Sequence, residues 1–513
     1  MATRLSGHNA WIIGRKQHYR LVTLRGVFEL PPLAAFSLPR RDKLSGRARL
    51  VSKRAFLIVI SAFLLPLRSQ AQSAGLAPPD QEIRKILAER IDKFSDGVGA
   101  VVGIIDGQGP RVVAYGKRDV SRPEPVDSNT VLAIASVSKI FTSLILADMV
   151  ERGEVALDDP VEKYLGIHMP ERGGHKITLV DLCTHTSGLP REGPMGPVGA
   201  PSPETVEFLA AYRLTHAIGT HFEYSNFGVA LLGAALARRA EMTYDQLLQI
   251  RVVAPLGLRN TSAGLADPMP ANRATGHNAE FEPLPLGNFA GYGGAGSIQS
   301  TASDLLNLLA AQLGYAPSSL SAAMSRMLEV KRARVPALVG FLAHDMNVHL
   351  GWLESNEGGV RMLWQNGSLP GYRSFLGFNP ESRTGVAVLW NTDSVGVEDI
   401  GFHILNPKVP LFGPKDLHKH TEIALDTGVL DRYAGRYRFP EQEASVKHVR
   451  DHLTLRGDLD GGTPVAFFPE TERDFYSRDG SYEMHFHADR KGRVTGFTFR
   501  NPDFSKDVKR IEE

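Results

Sequence analysis

Residues 133–143 read AIASVSKIFTS and set a serine and a lysine three positions apart, at the entry to an apolar helix expected over 137–151. Positions i and i+3 share one helix face, so the Lys139 ammonium can reach the Ser136 hydroxyl. At a helix N-terminus the unpaired N–H groups and the dipole favour negative charge on or near the serine oxygen. A serine hydroxyl is a poor nucleophile until a neighbour takes its proton, and a lysine held beside it is one solution. The pair alone is weak, because chance supplies a Ser-x-x-Lys about once or twice in a chain of this length. A capping serine with a solvated lysine explains it as well.

Two later stretches add to it. YSN at 224–226 precedes a second apolar helix, FGVALLGAALARR. Tyr224 offers a phenol, and Asn226 an amide that both accepts and donates. A phenol beside an ammonium is pulled toward phenolate and could then remove the serine proton. A packed tyrosine and a capping asparagine are the plainer alternative. WQNGSLPGYRSFLGF starts at Trp364, with Gly367 and Gly371 bracketing a turn between two strands. Unshielded backbone N–H groups there can approach a substrate, and an oxyanion hole needs two such donors. An ordinary hairpin reads the same way.

The rest of the chain supplies a scaffold. Residues 80–95, DQEIRKILAERIDKFS, carry a helical apolar spacing. GAVVGIID and RVVAYG read as a hairpin, and RMLWQN, YRSFLGFN and TGVAVLWN as late strands. Between them the text from 155 to about 330 is mainly helical with long Gly/Pro loops. Strands at both ends with helices inserted predict one mixed α/β domain over 80–405, its sheet completed late in the chain. Past a boundary near 410–425, residues 425–513 alternate in short strands, as a small antiparallel barrel or sandwich does.

The formal charge of +2 hides a split: residues 1–71 hold thirteen Lys/Arg and two Asp/Glu, and the body is mildly acidic. That argues against nucleic acid or another polyanion as the main partner. Within 1–71, Lys53 and Arg54 precede an apolar run from Ala55 to Leu67, and small residues follow at Ser69 and Ala71. This is the anatomy of a secretory signal, and the run is short for a bilayer, so no stable membrane span is expected after cleavage. The expectation is an exported protein, periplasmic or secreted, with translation starting near Val51. The fifty residues before it show no sustained periodicity. One cysteine, Cys183, excludes an intrachain disulfide and a Cys-rich metal site. His485 and His487 share a strand face, but no third ligand stands at motif spacing, so neither metal nor cofactor is expected. No pattern specifies an oligomeric state.

Ser-x-x-Lys, then Tyr-x-Asn, then a Gly turn on a late strand is an order that resembles the class C β-lactamase family. That family also holds D,D-peptidases and esterases of the penicillin-recognising fold. LVDLCTHTSGLP at 179–190 and GYGGAGSIQSTASDLLNL at 291–308 are similar to further segments of it. The likeness covers roughly 80–405, and the end piece resembles the lipocalin-like β domain of some members. It implies an antiparallel sheet flanked by helices, with an inserted helical subdomain. It also implies an acyl-enzyme mechanism on a small-molecule or peptide substrate. Ser136 then looks like the nucleophile, with Lys139 and Tyr224 as the pair that moves its proton. Asn226 matches the substrate-amide contact, and the N–H groups of Ser136 and Ser368 the oxyanion hole. His185 matches a structural histidine.

One position departs. Where the family usually has Lys-Thr-Gly or His-x-Gly, this chain has Gln365, Asn366 and Gly367. Glutamine keeps hydrogen bonds but loses the charge that commonly faces a substrate carboxylate, and a charge-assisted bond is about twice as strong as a neutral one. Weak turnover of carboxylate-bearing β-lactams is expected, unless Arg373 restores the charge. The alternative, from a different class, is a catalytically weak protein that binds peptides or peptidoglycan fragments on the same fold.

Overall fold

The computed structural model describes the strands within residues 2–29. From 77 onward it describes all but 197–199, 265–270, 288–289, 336–345, 395–396, 413–419, 440–442, 457–464, 478–481, 501–504 and 512–513. Met1–Ala74 and Gly75–Glu513 are two compact units. In the first, β1 (Ala2–Arg4), β2 (Ala10–Arg15), β3 (His18–Thr23) and β4 (Gly26–Glu29) pair antiparallel in chain order. Patterning predicted no element there, because runs of three to six residues are too short for alternation to register. The expected signal segment lies outside the described residues.

The second unit opens on α1 (Asp80–Ala88), whose Ile83, Ile86 and Leu87 are buried, and which continues as a π-helical turn over Glu89–Lys93. An eight-stranded antiparallel sheet follows. Its strands are β5 (Gly99–Asp106), β6 (Gly109–Gly116), β7 (Arg332–Val335), β8 (Met346–Val348), β9 (Leu353–Glu357), β10 (Val360–Leu369), β11 (Tyr372–Asn379) and β12 (Thr384–Trp390). Their order is β7-β8-β9-β10-β11-β12-β5-β6, so the last strand docks on the first hairpin, with Val388 opposite Val102. Both faces are covered, which is why β5 and β12 read as unbroken apolar runs. In β10, Leu363 enters one core while Met362 and Trp364 enter the other.

The larger core holds α2 (Ser138–Glu151), α3 (Asn226–Arg239) and α4 (Ala302–Gln312). Every residue of α2 from Ser138 to Met149 is buried, the mark of a helix enclosed on all sides. The opposite core holds α1 and α5 (Glu398–Leu405). There Arg90, itself buried, pairs with Asp96 and Asp399, tying the two helices together. Burial pushes the Asp399 carboxyl up to about 6, against the pull of Arg90.

The C-terminal strands close into a barrel: β13 (Gly435–Arg438), β14 (Glu443–Val449), β15 (His452–Arg456), β16 (Val465–Pro469), β17 (Asp474–Tyr476), β18 (Glu483–Ala488), β19 (Val494–Arg500) and β20 (Ser505–Arg510). Pairing of Tyr437 with Arg510 decides barrel over sandwich. Eight strands leave room for side chains only, and Tyr437, Phe467, Phe486, Phe497 and Phe499 fill it. His485 is held by Asp474 and His487 by Thr498. Among the described residues no helix is long and apolar enough to cross a membrane.

Candidate active site

Ser136 sits in a 3-10 turn, Ala135–Val137, immediately before α2. The chain enters the turn through Ala135 at φ 47°, a left-handed conformation that costs an alanine energy and persists only where the surroundings impose it. They do. Ile134 N–H donates to Ile298 O (3.0 Å), Ile298 N–H donates to Ser138 Oγ (3.1 Å), and Ser374 Oγ donates to Ile134 O (2.8 Å). The turn is clamped between the strand Ile298–Ser300 and β11. Ser136 is half-buried while residues on both sides of it are buried, so its hydroxyl is the group the turn presents.

Lys139, only 2% exposed, directs its ammonium to Ser136 Oγ (2.9 Å), Asn226 Oδ1 (2.7 Å) and Ala295 O (2.8 Å). An ammonium has three donors, and all three are used. Burying a charge costs several kcal/mol and each bond to a charged group returns about 1.5–3, so partial satisfaction would not hold it here. Burial is the larger effect and holds Lys139 below the usual lysine range, against the attraction of Tyr224.

Tyr224 OH donates to Ser136 Oγ at 2.9 Å, the same distance as the lysine. Burial alone would raise the phenol, but Lys139, the bond to Ser136 and Arg191 outweigh it and hold Tyr224 below the usual phenol range. Its ring stacks on His185 at 4.4 Å, with Lys139 Nζ 4.9 Å from the ring centroid. His185 accepts from Ser225 N–H at Nδ1 (3.1 Å), and burial drives its pKa to about 3, so it stands as a neutral wall. Ser225 caps α3 by accepting from Gly228 N–H (2.8 Å) and donates to Pro190 O (2.6 Å), which fixes residues 224 and 226 on either side of it. Asn226 bridges: Oδ1 accepts from Lys139 while Nδ2 donates to Glu192 Oε1 (2.6 Å).

Gly367 is a strand residue, paired with Ser374, and the turn is at Pro370–Gly371 with Gly371 at φ 80°. This corrects the expectation that Gly367 borders the turn. Glycine is required for another reason: a Cβ would lie 2.5 Å from Ile134 O, 2.5 Å from Ser374 Oγ and 2.9 Å from Ala135 Cβ. β10 therefore runs against the turn carrying Ser136, with Ser368 next in line. Gly367→Ala is expected to lower stability by about 1–3 kcal/mol and kcat/KM by at least about tenfold, read by thermal melts and steady-state kinetics.

Gln365 is buried on the same strand face as Gly367, its Nε2 lying 3.4 Å from Asn366 O, a long contact. Asn366 points to the other face and donates to Glu398 (2.7 Å). Arg373 donates to Ser368 Oγ (2.5 Å) and pairs with Asp393 (2.6 Å), so its charge is already engaged rather than free to replace a cation at 365. Ser136, Lys139, Tyr224 and Asn226 thus meet in one cluster. Ala295 O, Glu192 and Arg191 were not anticipated. The charged pair in LPREG, directly after THTSG, was the available signal.

A buried lysine and a phenol thus converge on a serine at the start of a helix, beside an antiparallel strand. The family model described as "Beta-lactamase" matches residues 87–402, and the chain belongs to the β-lactamase family. A second model, "Domain of unknown function (DUF3471)", matches residues 419–513. The chain is 28% identical over 316 residues to the D-alanyl-D-alanine-carboxypeptidase/endopeptidase AmpH of Escherichia coli (strain K12), covering 59% of this chain and 81% of that protein. It is 25% identical over 343 residues to a β-lactamase of the same strain, covering 60% and 88%. Among solved structures, the β-lactamase/D-alanine carboxypeptidase from Yersinia pestis complexed with citrate is 26% identical at TM-score 0.53, covering 61% of this chain and 92% of that one. The octameric penicillin-binding protein homologue from Pyrococcus abyssi shares the fold at TM-score 0.57 and 22% identity, covering 84% of this chain and 96% of its own.

Proposed function

We propose that the protein is an exported serine hydrolase, periplasmic or secreted, that forms an acyl-enzyme at Ser136 on an ester or amide. The hydrolase spans 80–405, the leader 1–71 and the barrel domain 425–513. One observation carries the reading: Ser136 Oγ lies 2.9 Å from both Lys139 Nζ and Tyr224 OH. Ser136 attacks the carbonyl carbon as its proton passes to the Lys139–Tyr224 pair, in the form in which one of the two, as free amine or phenolate, has already given up its own proton. The oxyanion is received by the N–H groups of Ser136 and Ser368, and Asn226 faces the substrate amide. The same pair protonates the leaving group as the tetrahedral intermediate collapses. Water then repeats the sequence, releasing the acid and restoring the serine. No step requires a metal or cofactor.

The substrate side is read from Gln365. With no cation there and Arg373 engaged by Asp393, neutral esters and amides are handled better than β-lactams that bear a carboxylate. The relatives named carboxypeptidase and β-lactamase support D-amino-acid peptides and β-lactams as the other classes to try. Gln365→Lys is expected to raise kcat/KM for a carboxylate-bearing substrate about tenfold relative to a neutral ester. An unchanged ratio sinks that part of the reading.

The experiment for the whole is a panel of nitrocefin, a p-nitrophenyl ester and a D-Ala-D-Ala peptide. At least one is expected to turn over, the ester best. Tight binding with no turnover of any would favour a peptide-binding role instead.

A further inference from the structure

We propose that Arg191 is a positioning residue of this site: its guanidinium is fixed over Tyr224 so that the Tyr224–Lys139 pair stands ready to accept the serine proton. The inference rests on Ser136 as nucleophile. The Arg191 guanidinium carbon lies 5.3 Å from the Tyr224 ring centroid, while its side chain is exposed at the mouth of the site. The backbone roots it there. Arg191 O accepts from Phe227 N–H (3.1 Å) and Pro190 O accepts from Ser225 Oγ (2.6 Å), so bonds from residues beside Tyr224 hold the segment that presents the arginine.

The ionisable groups facing the pair come from three elements. Lys139 lies on α2; His185, kept neutral, follows the helix Leu179–Cys183; Arg191 and Glu192 occupy the next segment. Glu192 acts oppositely, favouring a charged Lys139, but its carboxylate is engaged by Asn226. A positive charge beside Tyr224 favours phenolate, and beside Lys139 it favours the free amine. Both are the proton-accepting forms. The sign is therefore the same whichever group takes the proton: without Arg191 both acceptors bind their protons more tightly, and activity on the acid side is lost. Because Arg191 is exposed, its influence is screened by salt.

Arg191→Gln and Arg191→Lys test this with a neutral p-nitrophenyl ester across pH, at low and high salt. For Arg191→Gln, kcat/KM is expected to fall about three- to tenfold on the acid side while the alkaline plateau stays within about twofold. Arg191→Lys should retain most of the acid-side activity, and high salt should narrow the gap. A uniform loss at all pH values overturns the proposal. So does an unchanged profile with KM raised only for a carboxylate-bearing substrate, which would make Arg191 a substrate contact. NMR of isotope-labelled tyrosine, with Tyr224→Phe identifying the signal, follows the phenol without turnover. Titration of Tyr224 should move to higher pH in Arg191→Gln, and an unmoved titration rejects the idea. Failure of that measurement is distinct from an inactive protein, which would reject the reading of Ser136.

Discussion

Ser136→Ala is expected to lower kcat for the best ester substrate by at least about a thousandfold and to abolish labelling by a fluorophosphonate, with the fold intact. A group that forms the covalent bond has no substitute in the site, so its loss removes the pathway rather than weakening it. Residual rate would come from the oxyanion donors and from binding alone. Melting temperature should fall measurably without loss of the fold, because one Lys139 donor and the Tyr224 hydroxyl lose their shared acceptor while Lys139 keeps Asn226 and Ala295 as partners. Circular dichroism and a thermal melt beside the kinetics separate the two effects. If instead the protein is a binder, the affinity for a D-Ala-D-Ala peptide survives the substitution and no activity existed to lose.

The second large effect belongs to Lys139. Lys139→Met should reduce kcat about a hundred- to a ten-thousandfold, the range of a general acid–base group. It should also destabilise, since Asn226 Oδ1 and Ala295 O would lose the ammonium in a buried setting, at about 1–3 kcal/mol for each group left unpaired. Lys139→Arg is the sharper variant. It preserves the positive charge but cannot give up its proton or fit the three acceptors around one nitrogen. Activity near wild type in Lys139→Arg would leave Tyr224 as the acceptor, with Lys139 supplying charge alone. A loss comparable to Lys139→Met is the expected result.

Much of this site was legible in the chain because its reactive groups come in short local patterns. Ser136 and Lys139 share a helix face by spacing, and Tyr224 and Asn226 stand two apart at the entry to an apolar helix, whose cap is Ser225 rather than the asparagine the sequence suggested. The barrel strands were legible from alternation, since each has an inside and an outside, and the late sheet strands from apolar runs between turn residues, because both of their faces are covered. What stayed hidden depends on tertiary contact. No local pattern marks Ala295 O as the third acceptor of a buried ammonium, because every residue has a carbonyl. Gly367 was legible as a glycine but not for its cause, which is the approach of Ile134 O from far away in the chain. Arg191 and Glu192 sit in a loop rich in glycine and proline whose path only the fold determines.

The most direct measurement is the intact mass of the protein after incubation with a slowly hydrolysed β-lactam or a fluorophosphonate, followed by peptide mapping. The account predicts one adduct per chain, on the peptide that contains Ser136, absent in Ser136→Ala. An adduct on any other residue, or turnover that persists undiminished in Ser136→Ala, would contradict it.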